Sequence, residues 1–124
     1  MDVVIYAENI DRKTEALRGL VAGAIQGDPI EIDSLDALFL FLRSKVTGEV
    51  IIVFMIYSET ELDRLLESKS RLFNTRFIII LLDEGDGMVT KALALHPRFL
   101  SFKSRDYTDV GRVLNKMMKR EFGQ

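Results

Sequence analysis

Two uninterrupted apolar runs, Val50 to Tyr57 (VIIVFMIY) and Phe77 to Leu82 (FIIILL), constrain this chain more than any other feature of it. Both are rich in β-branched and aromatic side chains, and neither alternates with polar residues. That is the pattern of a strand buried on both faces, which requires helices above and below the sheet. Val3 to Ala7, Ile30 to Ile32 and Phe99 to Phe102 are shorter runs of the same character, so five strand-like segments recur at intervals of about 25 residues.

The segments between them carry helical spacing. After Asp11 the apolar residues fall at Ala16, Leu17, Leu20, Val21, Ala24 and Ile25, and Gly27-Asp28-Pro29 stops the pattern. Ser34 is placed to cap a second helix over Leu35 to Lys45. At Ser58 the sequence S-E-T-E sets Glu61 three residues after a serine, the spacing of a capping box, with Leu62, Leu65, Leu66, Leu72 and Phe73 on the buried side. Met88 to Leu95 predicts a short helix ended by His96-Pro97. Asp106 is placed to cap a last helix, whose Val110, Val113, Leu114, Met117 and Phe122 share one face and whose Lys116, Lys119 and Arg120 favour its carboxyl end.

Strands alternating with helices predict a parallel sheet covered on both faces, because each return crossover is right-handed. The fold expected is a single α/β domain over residues 1–124: a flavodoxin-like, doubly wound (βα)5 sheet of five parallel strands in the order 2-1-3-4-5. Its switch point lies between strands one and three. A site there would draw on Glu8, Asn9, Tyr57, Ser58 and Asp83.

Composition narrows the chemistry available. A net charge of −2 gives no attraction to nucleic acid or to an anionic membrane, and no stretch approaches the roughly 20 apolar residues that span a bilayer. There is no cysteine and only one histidine, His96, which removes disulfides, thiolate nucleophiles and His- or Cys-based metal sites. The first residues carry no basic stretch of a secretory signal, so a cytoplasmic location is the expectation. Dinucleotide, P-loop and nucleophile-elbow motifs are absent. The loop Asp83-Glu84-Gly85-Asp86-Gly87 lacks the alternating ligands of a calcium loop and reads as a solvated turn. Glu8 reads as a solvated or capping carboxylate. The second helix, LDALFLFLRSK, is apolar on almost every side. Leu38, Phe39, Leu40, Phe41 and Leu42 cannot all face one sheet, so either a partner or the crossover that follows must cover the remainder.

The five-fold repeat, the length and an acidic residue closing strand one resemble the receiver domains of bacterial response regulators over essentially the whole chain. The residues that carry chemistry in that family are mostly replaced here. Where the family has adjacent acidic residues after strand one, this chain has Glu8-Asn9, which keeps one carboxylate. The position matching the phosphoacceptor aspartate is Phe54, or Val53 under a shifted match. Leu82 or Asp83 stands where strand four usually ends in Thr or Ser, Phe99 takes the aromatic position of strand five, and Lys103 or Phe102 takes that of the lysine.

Acyl-phosphate chemistry needs a carboxylate nucleophile and a divalent cation. The resemblance therefore implies an atypical, or pseudo-, receiver: a non-catalytic signalling module that works through protein–protein contact, as a homodimer or with another protein, without cofactor or resident metal. Glu8 and Asp83 are weak metal candidates. The alternatives are a divergent receiver that still accepts a phosphoryl group, and a small-molecule sensor using the switch-point crevice. The resemblance places the contact surface on the fourth helix, fifth strand and fifth helix, where Met88, Val89, Phe102 and Tyr107 are the candidates.

Overall fold

In the computed structural model, which describes residues 2–9, 11–44, 50–72, 75–83, 85–102 and 107–121, every residue of the central strand is buried. The elements run β1 (Asp2–Ala7), α1 (Arg12–Ile25), β2 (Ile30–Ile32), α2 (Leu35–Arg43), β3 (Val50–Ile56), α3 (Glu59–Glu67), a 3-10 turn (Lys69–Leu72), β4 (Arg76–Leu81), α4 (Asp86–Ala94), β5 (Phe99–Phe102) and α5 (Thr108–Glu121). All pairings are parallel and the strand order is 2-1-3-4-5, as the alternation predicts.

Successive strand side chains point to opposite faces, so the sheet divides the core into two apolar layers. Val4, Tyr6, Ile52, Phe54, Ile79 and Leu81 face the layer that α2, α3 and α4 close. Val3, Ile5, Ile51, Val53, Ile78 and Ile80 face the layer closed by α1 and α5. The register sets Tyr6 beside Phe54 and Phe54 beside Ile79. The Tyr6 and Phe54 rings lie 5.4 Å apart, and Phe77 meets Phe54 edge-on at 5.6 Å.

Local chemistry sets the helix starts. Ser34 caps α2 by accepting the Ala37 N–H, and Ser58 caps α3 by accepting that of Glu61. The second half of the expected capping box is displaced, because the Glu61 carboxylate reaches past Ser58 to the Tyr57 N–H. Helix α1 opens on a box that the apolar period does not reveal, in which Asp11 accepts the Lys13 and Thr14 N–H groups and Thr14 Oγ1 accepts the Asp11 N–H. Its buried face is consequently Thr14, Leu17 and Val21, with Ala16 exposed.

Part of the apolar α2 helix is covered within the chain. Leu38 and Phe39 are buried, Phe41 and Leu42 pack against the same layer, and the Arg71 guanidinium lies 5.1 Å from the centre of the Phe39 ring. Leu40 stays 66% exposed. Phe73, Asp106 and Phe122 lie outside the described residues. Among the described residues no helix is long and apolar enough to cross a membrane.

Candidate functional site

The carboxyl ends of β1, β3 and β4 form the edge at which an open α/β sheet presents its functional groups. Here β3 ends at Ile56, followed by Tyr57, and β4 at Leu81, followed by Leu82, whose N–H extends the ladder to Ile56 O at 2.8 Å. Phe54 does not reach this edge. It sits two residues inside the strand end, inaccessible to solvent, between Tyr6 and Phe77.

Three carboxylates near the edge, those of Glu8, Glu61 and Asp11, are engaged in hydrogen bonds. The Glu8 carboxylate accepts the Tyr6 hydroxyl at 2.6 Å on one oxygen and Arg64 of α3 at 2.9 Å on the other. It is thus a bridge between β1 and α3, which replaces the expectation of a solvated or capping group. Tyr6 is buried, and burial together with the hydrogen bond to Glu8 holds its hydroxyl protonated far above the usual tyrosine range. Glu61 is 5% exposed. Its Oε2 accepts the Tyr57 N–H at 2.7 Å, while Oε1 has no hydrogen-bond partner among the described residues. Burial raises its carboxyl above the ordinary value, opposed by the Tyr57 N–H and reinforced by the charge on Glu8.

A second cluster forms on the other face of the edge. The Tyr57 hydroxyl lies 3.2 Å from both Asp11 oxygens, 3.3 Å from the Asn9 carbonyl and 3.3 Å from Thr14 Oγ1. Burial works to raise the Asp11 carboxyl, but the Thr14 and Lys13 N–H groups with the Tyr57 and Thr14 hydroxyls outweigh it and hold the group below its usual value. This cluster ties the end of β3 to the start of α1. Buried Tyr107 adds a third hydroxyl that Asp11 repels in its ionised form.

The expected switch-point set is therefore brought together only in part. Asn9 takes part through its carbonyl, Tyr57 through both ends, and Ser58 as a cap. Asp83 is exposed just beyond β4, and the described residues contain no group of three or more His, Cys, Asp or Glu placed to hold a metal. Lys103 and Glu84 lie outside the described residues. Phe99 opens β5 and packs toward α5. Tyr6, Asp11, Thr14, Glu61 and Arg64 make up most of the actual bonding, and of these only the Ser58–Glu61 spacing is read from the sequence as a local signal.

Two interface candidates are corrected. Met88 is 2% exposed and Tyr107 is buried under a left-handed backbone angle of 60°, so both belong to the core. Val89 and Phe102 are half-buried against the layer beneath α4. The side chains of Lys119 and Arg120 lie outside the described residues. The large apolar side chain that the α4 surface exposes is Leu93, at 55%.

Fold and edge together define a flavodoxin-like α/β protein whose switch point is bonded internally. Among solved structures it is similar to a Burkholderia pseudomallei K96243 protein described as pilus assembly-related, with a TM-score of 0.67 and 13% identity over 97% of this chain and 87% of that one. At that identity the likeness is one of fold. No protein-family description and no curated protein matches the chain.

Proposed function

We propose that this chain is a receiver-like signalling module without phosphoryl chemistry, whose output is the binding of another protein or of a second copy of itself. The observation that carries the reading is the apolar β3, where Phe54, the residue matching the phosphoacceptor position, is fully buried in the core and Ile56 and Tyr57 follow it without a carboxylate. The neighbouring carboxylates support it, since Glu8, Asp11 and Glu61 hold structural hydrogen bonds that a metal ion would have to displace. A module of this kind acts through an outer face. The surface of α4, β5 and α5 is the one the receiver resemblance favours, and the fold likeness directs the first search for partners to pilus assembly components.

The test is intact mass after incubation with a small phosphodonor and magnesium. The expected spectrum is unchanged, and a stoichiometric phosphoryl adduct would establish the divergent-receiver alternative. One feature favours the sensor alternative: a cleft of about 390 Å3 between the start of α2 and α3, lined by Ser34, Phe39, Arg64, Ser68 and Arg71 together with Glu8, Asp33, Asp36 and Glu67. Thermal melting across a panel of small polar metabolites separates that reading from the first, because a ligand of this cleft would raise the melting temperature with concentration.

A further inference from the structure

The cleft between α2 and α3 carries opposite charges on its walls without joining them. It opens beyond the carboxyl ends of β1 and β2, where Glu8 and Asp33 follow the strands and where open α/β sheets take their ligands. The start of α2 supplies Asp33 and Asp36, while the end of α3 and the turn after it supply Glu67, Ser68 and Arg71. Arg64 is already paired with Glu8 at 2.9 Å. Among the described residues, by contrast, the carboxylates of Asp33, Asp36 and Glu67 and the Ser68 hydroxyl engage no other group, and the Arg71 guanidinium meets only the Phe39 ring, 5.1 Å from its centre. A guanidinium held over an aromatic face keeps its N–H donors for a carboxylate.

Size and charge narrow what such a cleft can hold. Its volume of about 390 Å3 falls within the range of small-ligand sites, about 300–1,000 Å3. With Glu8 and Arg64 cancelling each other, three carboxylates face one guanidinium, which leaves an excess of two negative charges. A simple anion such as phosphate would find Arg71 but would be repelled by the acids at the start of α2, and a simple cation would leave Arg71 unmatched. A molecule with one carboxylate and two cationic nitrogens complements all of these groups. Glu67 and Arg71 both belong to the α3 side, so the two charges at the α-carbon of an amino acid meet that side while a cationic side chain crosses to Asp33 and Asp36.

We infer that this cleft binds a basic α-amino acid, its carboxylate on Arg71 and Ser68, its α-ammonium on Glu67 and its cationic side chain on Asp33 and Asp36. This rests on the sensor alternative and names the ligand class of that cleft. Titration calorimetry of the native chain tests it with two sets of probes: L-arginine with agmatine and citrulline, and L-lysine with cadaverine and norleucine. One-to-one binding of at least one basic amino acid is expected, about tenfold or more tighter than that of its two analogues, because each analogue lacks one charged contact. Arg71→Gln should reduce the amino acid to the affinity of its decarboxylated analogue, and Asp33→Asn with Asp36→Asn should reduce it to that of the analogue without side-chain charge. Asp28→Asn, a like change of charge in the turn before β2, should alter the affinity by less than about twofold. All of these side chains are exposed, so melting of the unliganded variants should match that of the native chain. Silence from both amino acids, an analogue that binds as well as its parent, or an affinity that survives Arg71→Gln overturns the inference. If another metabolite of the melting panel binds and the basic amino acids do not, the inference fails while the sensor alternative stands; if the whole panel is silent, both fail. The mass measurement decides the phosphoryl question separately.

Discussion

Glu61 and Asp11 are carboxylates that both bond to Tyr57 at the end of β3, yet their surroundings drive them in opposite directions. Glu61 is raised above its ordinary value of 4.5, chiefly by burial, so the folded chain takes up this proton more readily than the unfolded chain does. The stability linked to Glu61 is therefore full below about pH 4.5 and is lost as the pH rises through the folded value. Asp11 is lowered below 3.8 by its hydrogen bonds, so its contribution is present above that pH and is lost as the pH falls through the depressed value. Replacing Glu61 by Gln removes the first dependence and keeps the Tyr57 N–H satisfied. Denaturant melts should find Glu61→Gln more stable relative to the native chain at pH 7 than at pH 4. An equal difference at both pH values would mean that the group is not desolvated in solution.

Among the elements, α1 and α5 show how the same residue serves two ends. Gly19 lies inside α1 with nothing within 4 Å of where a Cβ would sit, whereas a Cβ at Gly111 of α5 would stand 3.0 Å from Leu20 Cδ2. Gly19→Ala removes backbone freedom from the unfolded chain without a clash and should stabilise the protein by about 0.5–1 kcal/mol. Gly111→Ala has the same propensity gain but must push Leu20 aside where the two helices meet, and a net loss of about 1 kcal/mol is expected. Urea melts of the two single variants check both signs. A gain at Gly111 would show that the α1–α5 contact is looser than this packing. On the opposite face, the Lys91 link to Glu59 and Asp63 joins α4 to α3, but with its partners about half exposed it steers the helices more than it stabilises them.

For the molecule as a whole, the centre of the sheet has been given to packing and the edge to internal hydrogen bonds. Phe54→Asp would bury a charge between the Tyr6 and Phe77 rings and should cost about 3–5 kcal/mol in urea unfolding without any uptake of phosphate. A stable Phe54→Asp chain that accepts a phosphoryl group would return the site to the receiver class. The sequence alone determined the five strands, their parallel order and the start of α2 at Ser34, because the double-sided apolar runs and caps act over a few residues and the handedness of crossovers does the rest. It also specified that β3 brings no carboxylate, since that is a matter of composition at one strand. Only the tertiary structure decided where Glu8 points, because Arg64 lies 56 residues away and no spacing rule connects them. The same holds for Met88 and Tyr107, which read as surface by position but are core by packing, and for Leu93, whose exposure depends on which flank of α4 the neighbouring α3 covers. Period tells which face of a helix is apolar; which part of that face stays open is set by the elements that pack against it.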